Sequence, residues 1–255
     1  RKSTADWTVV ENTLFDDRYC LLKLTLYRDL PEMLPGQFVQ VLIDNSPKAF
    51  LRRPICIHQV DGQELHLLIQ IVGEGTSLLS KLEPGDRLNL LYPLGNGFSI
   101  PEDKSKKLLL IGGGVGIAPL LYLGKRLKEK GFSPSFLLGF YSVKDLLQLD
   151  EFAKYGTVYI TTEDGSAGEK GFVTNHPVLL EGDADFIYTC GSKPMMMAIA
   201  RYAHKYGIPC EVSLENRMAC GIGACLCCVE KTERGNVCAC TEGPIFNINE
   251  LTWLT

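Results

Sequence analysis

The sequence has no marked excess of charge of either sign, and it contains no internal repeat or low-complexity tract. Its 255 residues include 26 Lys and Arg against 30 Asp and Glu, so the formal net charge is only −4. A chain this close to neutral gives no electrostatic reason to expect a nucleic acid or an anionic membrane as its partner. With 45% apolar residues, the composition is that of a globular protein able to bury a core in one or two domains.

Long apolar runs are also scarce. Residues 1–7 carry charge but are followed by no apolar segment, so no signal peptide is visible. The longest uncharged stretch, residues 108–124, approaches the length of a membrane-spanning helix, but it contains five glycines and Pro119. A buried strand, a tight glycine turn and the start of a helix explain this stretch better. We therefore expect a cytoplasmic protein that does not enter a membrane.

Histidine is rare as well, and the four that occur are scattered along the chain. They are His58, His66, His176 and His204. Each is explained as a strand or surface residue, and the sequence places none of them as an obvious general base. We therefore expect no catalytic residue for breaking a carbon–hydrogen bond in this chain.

The pattern of predicted secondary structure changes twice along the chain. Residues 1–102 contain short β-branched or alternating runs separated by turn signals, which predict a small antiparallel β-barrel. In residues 103–212 strands alternate with helices, and this predicts a doubly wound, mostly parallel sheet. Residues 213–255 keep neither period and are rich in cysteine and glycine. We therefore expect a multi-domain β plus α/β fold that ends in a small cysteine-rich segment.

Cysteine is abundant, and six of the ten cysteines lie between Cys220 and Cys240. Cys220, Cys225 and Cys228 have the plant-type spacing of [2Fe–2S] ligands, and Cys240 or Cys238 would supply the fourth thiolate. A glycine-rich loop suits this role because its backbone N–H groups can point at the sulfurs. The alternatives are a structural zinc site, for which the usual pairs of two-residue gaps are missing, and a set of inert buried cysteines. The spacing favours an iron–sulfur cluster.

A second motif lies at the start of the α/β part. An apolar run is followed by Gly112, Gly113, Gly114 and Gly116, and then by a predicted helix over residues 119–130. Glycines in a strand-to-helix turn let the backbone approach a pyrophosphate, and the helix N-terminus offers free N–H donors. The last glycine of the usual fingerprint is missing, so a tight crossover without a ligand is the alternative. No acidic residue closes the next predicted strand, which leaves the choice between NAD and NADP open.

A third pattern combines two segments of the barrel part. Two adjacent cations, Arg52 and Arg53, begin a β run, which is unusual unless an anion or solvent meets them. A later strand ends near Gln70, and Gly75 and Thr76 follow at a predicted helix start, where a phosphate can be received. For the arginine pair considered alone, a solvated strand end is the alternative.

In this order, these segments resemble the ferredoxin-reductase-type flavoproteins and, more closely, the electron-transfer subunits of two-component, NAD-dependent (type B) dihydroorotate dehydrogenase. The resemblance covers essentially the whole chain. It is carried by residues 35–38, the Arg-Arg-Pro strand, Gly75-Thr76, residues 93–98, the glycine turn, residues 164–166, residues 190–192 and the tail with Glu215 before the cysteines. It implies an FAD-binding β-barrel in residues 1–102, an NAD-binding α/β domain in residues 103–212 and a [2Fe–2S] segment in residues 213–255.

The resemblance also assigns residues to each cofactor. FAD would be held by Arg53, Pro54, Ile55, Cys56, Gln70, Ile71, Val72, Gly75 and Thr76. NAD would be held by Gly112, Gly113, Gly114, Gly116, Cys190 and Gly191. The family's last cluster ligand lies one residue before an acidic-Gly-Pro-aliphatic-Phe run, and this pattern selects Cys240 over Cys238. The family usually has Ser where this chain has Cys56, a weaker hydrogen-bond donor.

For function, the resemblance implies an electron carrier. A partner subunit bearing FMN would oxidise dihydroorotate to orotate in UMP biosynthesis, and this chain would pass the electrons through [2Fe–2S] and FAD to NAD⁺. FAD is needed between the two because a hydride carries two electrons at once, whereas the cluster takes one at a time. We expect a heterotetramer of two of each subunit. Met218, Ile222 and Leu226 beside the cluster would lie in the interface or shield the cluster from water.

Two alternatives remain at this point. One is an NAD(P)H:ferredoxin or sulfide-linked oxidoreductase subunit with the same FAD and [2Fe–2S] architecture. The other is an iron–sulfur binding module whose nucleotide domain is vestigial.

Overall fold

The computed structural model describes residues 2–44 and 49–254, in which the chain forms two seven-stranded sheets and a small two-stranded hairpin. The first part of the chain supplies seven strands and one short helix. They are β1 (Ser3–Leu14), β2 (Tyr19–Thr25), β3 (Phe38–Val41), β4 (Arg53–Cys56), β5 (Gln59–Asp61), β6 (Glu64–Gln70), α1 (Glu74–Leu79) and β7 (Arg87–Leu94). These strands form an antiparallel half-barrel in the order β4-β3-β7-β1-β2-β6-β5.

The alternating runs of the sequence explain the interior of this half-barrel. In β1 the apolar side chains of Trp7 and Val9 are buried while their neighbours in sequence are not, as the pleat of a strand requires. The Trp7 ring meets the ring of Tyr92 from β7 edge-on, with centroids 5.1 Å apart. The expected antiparallel barrel-type domain is confirmed.

The second part of the chain is an α/β unit. Its elements are β8 (Leu108–Gly113), α2 (Ala118–Glu129), β9 (Ser135–Phe140), α3 (Leu149–Ala153), β10 (Thr157–Thr162), β11 (Glu169–Lys170), α4 (Pro177–Leu180), β12 (Phe186–Cys190), α5 (Lys193–Lys205) and β13 (Cys210–Ser213). The strands are parallel in the order β11-β10-β9-β8-β12-β13. The predicted doubly wound parallel sheet is therefore confirmed.

The uncharged stretch 108–124 contains the start of this unit. It consists of the buried strand β8, a 3₁₀ turn over Gly114–Ile117 and the first half of α2. The helix begins one residue before the predicted start, at Ala118, with Pro119 in its first turn, where the missing N–H costs nothing. None of the helices in the described part of the chain is both long enough and apolar enough to cross a membrane.

The cysteine-rich tail is attached to the second sheet. It contains the hairpin β14 (Val229–Thr232) and β15 (Gly235–Cys238), followed by β16 (Ile245–Asn247). Strand β16 pairs antiparallel with β13 and buries Phe246. The tail is thereby fixed beside the parallel strands and close to the first sheet, where the ideal Cβ of Gly95 would come within 2.5 Å of Pro244.

Candidate functional site

A cavity of about 300 Å³ lies where the half-barrel, the α/β unit and the tail meet. Strands β4 and β6 supply one wall, and the first residue of α2 and the segment after β13 supply the others. The lining residues are Phe38, Arg53, Pro54, Ile55, Cys56, Leu68, Ile69, Gln70, Val72, Thr76, Val115, Ala118, Leu214, Glu215, Asn216, Met218 and Pro244. Most residues expected to hold FAD therefore line one cavity.

The two adjacent arginines have different environments. The Arg52 guanidinium donates to the backbone carbonyls of Gln40 and Asn89, at 3.1 and 3.2 Å, and to the Asn89 side chain, so it joins strands. The Arg53 side chain lines the cavity and lies against Gly75, where an added Cβ would come within 2.8 Å of the guanidinium Nε. Of the two arginines, Arg53 is thus the one that faces the cavity, where it can meet an anion although its Nη1 also donates to the Leu51 carbonyl, and the glycine makes room for it.

The turn before α1 is closed by a hydroxyl. Thr76 Oγ1 accepts N–H bonds from Val72 and Gly73, at 3.0 and 3.2 Å. Ile71 and Gly75, also expected at the FAD site, do not line the cavity; Gly75 lies behind Arg53, and the Ile71 N–H donates to the Arg18 carbonyl at 2.7 Å. An apolar slot with a cation and a glycine-lined turn at one end suits a planar ring system that carries a phosphate group.

Cys56 and Glu215 line this cavity, and Cys190 at the end of β12 lies beside Glu215. Cys190 Sγ is 4.0 Å from a carboxylate oxygen of Glu215. Burial, together with the Glu215 carboxylate, raises the pKa of Cys56 to about 12, and desolvation raises the pKa of Glu215. Cys56 is therefore a neutral thiol at physiological pH, and it can donate only a weak hydrogen bond.

A second cavity, of about 320 Å³, opens at the carboxyl ends of β8, β9, β10 and β12. This is the place where doubly wound sheets bind nucleotides. Its lining residues are Tyr19, Gly113, Gly114, Gly139, Phe140, Tyr141, Asp145, Thr161, Glu163, Gly171, Phe172, Val173, Ser192 and Met195.

The remaining residues expected at the NAD site bring two loops together beside this cavity. Gly112 pairs with Cys190 in neighbouring parallel strands. An added Cβ on Gly116 would lie 2.5 Å from the Gly191 Cα and 2.6 Å from the Cys190 carbonyl oxygen. Glycine at position 116 is required because the two backbones touch there.

Acidic groups in the nucleotide cavity were not recognised from the sequence. Asp145 and Glu163 both line the cavity, although neither ends the second strand directly. Partial burial acts to raise the pKa of Asp145, but hydrogen bonds from Ser142 and Arg18 outweigh it and lower that pKa. The sequence signal that could have identified Asp145 is Ser142, three residues earlier, because a Ser–x–x–Asp pattern predicts a local hydrogen-bonded turn. In the structure the Ser142 backbone N–H and hydroxyl both donate to the Asp145 carboxylate.

Residues 220–228 form a loop that carries the first cysteines and is called the cysteine loop below. Backbone N–H groups point at two sulfurs of this loop and at the sulfur of Cys240. Cys220 Sγ accepts from Ile222 and Cys225, each at 3.4 Å, Cys240 Sγ accepts from Gly223 at 3.1 Å, and Cys228 Sγ accepts from the Cys240 N–H at 3.4 Å. Burial raises the pKa of Cys220, but these donors outweigh it and lower that pKa to about 6. Donors of this kind stabilise thiolates, which are the ligand form of cysteine.

Glycines shape this loop. Gly221 and Gly223 have φ of +70° and +83°, which side-chain-bearing residues rarely adopt. Leu226 has a positive φ of 58° despite its side chain.

Within residues 2–44 and 49–254, no three His, Cys, Asp or Glu side chains surround one point as ligands of a single metal ion.

The two candidates for the fourth ligand differ in their hydrogen bonding. Cys240 is fully buried and its sulfur accepts an N–H bond. Cys238 is partly exposed, and its thiol donates to the Gly223 carbonyl at 4.0 Å. A metal-bound sulfur accepts hydrogen bonds, as Cys240 does and Cys238 does not, so the hydrogen bonds favour Cys240. Burial and the neighbouring Cys228 nevertheless raise the pKa of the Cys240 thiol, against the Gly223 N–H that lowers it.

The segment between the first cavity and the cysteines was identified only in part from sequence. Glu215 was noted before the cysteines and Met218 was expected beside the cluster, but neither was expected to line this cavity, and Asn216 was not singled out. The Asn216 Nδ2 donates to the Cys228 carbonyl at 3.3 Å and to a carboxylate oxygen of Glu230 at 2.9 Å. Residues 214–216 and Met218 therefore line the first cavity, called the flavin cavity below, and Asn216 among them also holds the cysteine loop through the Cys228 carbonyl.

Two segments of the chain match family models of known proteins. Residues 215–252 match the family model for the iron–sulfur cluster binding domain of dihydroorotate dehydrogenase B, and residues 110–201 match the oxidoreductase NAD-binding domain. Among solved structures, the NADH-dependent reduced ferredoxin–NADP oxidoreductase studied for flavin-based electron bifurcation is 30% identical, with a TM-score of 0.87, covering 98% of this chain and 91% of that one. A ferredoxin reductase of carbazole 1,9a-dioxygenase, 22% identical, shares the fold over 82% of this chain and 67% of its own, with a TM-score of 0.68.

Curated relatives identify the family. The dihydroorotate dehydrogenase B (NAD⁺) electron transfer subunit of Caldanaerobacter subterraneus subsp. tengcongensis is 41% identical over 85% of this chain and 86% of its own length. The subunit of the same name from Bacillus velezensis is 40% identical over 97% of this chain and 98% of its own. The ferredoxin-type or sulfide-linked alternative is therefore not favoured. The chain belongs to the family of electron transfer subunits of dihydroorotate dehydrogenase B.

Proposed function

We propose that this chain carries electrons between a dihydroorotate-oxidising partner subunit and NAD⁺, using bound FAD and a [2Fe–2S] cluster. The observation that supports this path most directly is the position of residues 214–220. At one end they line the cavity formed by β4 and β6, and at the other end they begin the cysteine loop. Two redox cofactors bound at these places would be neighbours, joined by a short stretch of chain.

In this proposal the half-barrel holds FAD. Arg53 receives the phosphate groups, Thr76 and Gly75 shape the turn beside them, and Pro54, Ile55 and Cys56 with Gln70 and Val72 border the ring. When bound, FAD supplies the exchange between transfer of a hydride and transfer of single electrons.

The glycine turn and the β12 loop hold NAD. The glycine turn receives the pyrophosphate, because Gly113 and Gly114 line the second cavity and glycine lets the backbone approach closely. At the start of α2 the Ala118 N–H already donates to the Val115 carbonyl and Pro119 has no N–H. Cys190 and Gly191 lie between this turn and Glu215, so a nicotinamide beside them would face the flavin cavity. Closely packed backbones at Gly116 hold the two loops of this site together.

Cys220, Cys225, Cys228 and Cys240 hold the cluster. Their sulfurs lie on a loop whose N–H groups are already oriented toward three of them. We further propose the functional division of the chain into residues 1–102 for FAD, 103–212 for NAD and 213–255 for the cluster.

The partner subunit oxidises the substrate and carries FMN. Oxidation of dihydroorotate to orotate releases two electrons and two protons, and NAD⁺ takes up both electrons and one proton to form NADH. One proton is therefore released per turnover. We propose an assembly with two copies of each subunit.

An anaerobic titration of the purified chain with NADH tests this function. We expect flavin and iron–sulfur absorption in the visible spectrum, with the flavin bleached by NADH. A chain that contains flavin which stays oxidised under NADH would contradict the hydride role. The mass of the complex that co-purifies with the catalytic subunit, together with its FMN content, tests the proposed partner and stoichiometry.

A further inference from the structure

Gln40 has a buried, unpaired side-chain amide in the half-barrel. It lies in the centre of β3, between Val39 and Val41, and is 0% exposed. Its side-chain oxygen and nitrogen have no hydrogen-bond partner among the described residues. A buried amide left unpaired is costly, so such a group points to a partner that the protein atoms do not supply.

The Gln40 side chain points at the cysteine loop. An added Cβ on Gly221 would lie 2.7 Å from Gln40 Cγ and 3.1 Å from Gln40 Nε2, so the loop backbone rests on the amide. Gly221 directly follows Cys220, whose sulfur already accepts two backbone N–H bonds. The end of the amide that carries the donors therefore lies beside a loop whose other N–H groups also point at sulfur.

We propose that the Gln40 amide donates a hydrogen bond to an inorganic sulfide of the bound [2Fe–2S] cluster, because no cysteine sulfur of the described residues is its partner, and that it thereby raises the reduction potential of the cluster. This inference rests on the proposed function, because it assumes that the cysteine loop holds the cluster. The reduced cluster carries one more negative charge than the oxidised one, so a donor stabilises the reduced form more. Gln40 is thus a positioning and tuning residue contributed by the half-barrel.

The test is Gln40→Leu in the full chain with its cofactors bound and the catalytic subunit present. Leucine fills a similar volume and removes both the donor and the buried amide. We expect the equilibrium constant for reduction of the cluster to fall about tenfold, the loss expected for one hydrogen bond to a charged group. The midpoint potential is measured by titration monitored by electron paramagnetic resonance, and visible circular dichroism reports the surroundings of the cluster.

Gln63→Leu is the matched control, because Gln63 is an exposed glutamine of the same domain. If Gln40→Leu keeps the potential and dichroism of this control, the proposed hydrogen bond does not exist. If Gln40→Leu fails to assemble the cluster, Gln40→Met decides, because it keeps an unbranched side chain without the donor; an unchanged potential there overturns the inference. Reduction of the flavin by NADH is recorded in every variant, so failure of the proposed function is seen separately.

Discussion

Cys238 and Cys240 are separated by a single residue but have opposite sulfur environments: Cys238 ends β15, and Cys240 lies in the turn that follows. Cys240 Sγ accepts the Gly223 N–H at 3.1 Å, whereas the Cys238 thiol donates to the Gly223 carbonyl. We expect Cys240→Ser to abolish the cluster and Cys238→Ser to retain it, because only the accepting sulfur is placed as a thiolate ligand. Iron and acid-labile sulfide content measure this. The reverse result would assign the fourth ligand to Cys238.

Position 116 requires glycine, because two loops touch there through their backbones. Because an added Cβ would lie 2.5 Å from the Gly191 Cα, Gly116→Ala must push two cofactor loops apart. We expect a loss of about 1–3 kcal/mol in the free energy of unfolding and weaker NADH binding. Calorimetric titration with NADH and chemical denaturation measure the two effects. Gly73→Ala is the control, since Gly73 is extended and its Cβ meets nothing within 4 Å; equal losses in both variants would refute the role of close packing.

At the scale of elements, the imidazole of His58 forms one of the contacts between the half-barrel and the α/β unit. His58 lies between β4 and β5, and its ring is buried. Nδ1 is 2.7 Å from the Ala118 carbonyl at the start of α2, and Nε2 is 2.7 Å from the Gln148 side chain before α3. Burial lowers the pKa of His58 to about 4 from its usual 6.5, although both hydrogen bonds act in the other direction.

This contact predicts a pH dependence of stability. The folded pKa of His58 is below the unfolded one, so between pH 6.5 and 4 the unfolded chain binds more protons. Stability from this group is therefore fully present above pH 6.5 and is lost as the pH falls, by up to about 3 kcal/mol. Denaturant unfolding at several pH values should show a shallower acid slope for His58→Asn than for His204→Asn, whose wild-type side chain is exposed. Equal slopes would contradict the prediction.

At the scale of the whole molecule, the cysteine loop presents apolar side chains to the surface. Ile222 and Leu226 are 48% and 64% exposed, whereas Met218 lines the flavin cavity. Exposed apolar groups beside a redox centre suit the interface with the proposed catalytic subunit. Met218, by contrast, is placed where it shields the flavin side of the loop.

Leu226→Asn tests this interface without straining the loop. Asparagine tolerates the positive φ at this position better than leucine, so the fold is retained while the apolar contact is lost. We expect binding of the catalytic subunit to weaken by about 1 kcal/mol, roughly fivefold, with cluster content unchanged. Surface plasmon resonance against the partner measures this. Leu180→Asn, at a 52% exposed leucine of α4, is the control, and an equal effect of both variants would remove the loop from the interface.

Much of this protein was determined by local sequence. The spacing of Cys220, Cys225 and Cys228 and the glycine turn after β8 specify their structures within a few residues, because ligand spacing and backbone freedom are local properties. Alternation of apolar residues in period two, and then of strands with helices, was likewise enough to distinguish the half-barrel from the parallel sheet.

Tertiary structure alone decided which residues face the cofactor sites. Arg52 and Arg53 are adjacent, yet one joins strands and the other lines a cavity, because successive side chains of a strand point to opposite faces. Asp145, Asn216 and Gln40 reach their sites from separate segments brought together by packing. No local pattern places Asn216 or Gln40 at these sites, since only the folded sheets set the distance between them and the groups around them; for Asp145 the one local signal was Ser142, three residues earlier.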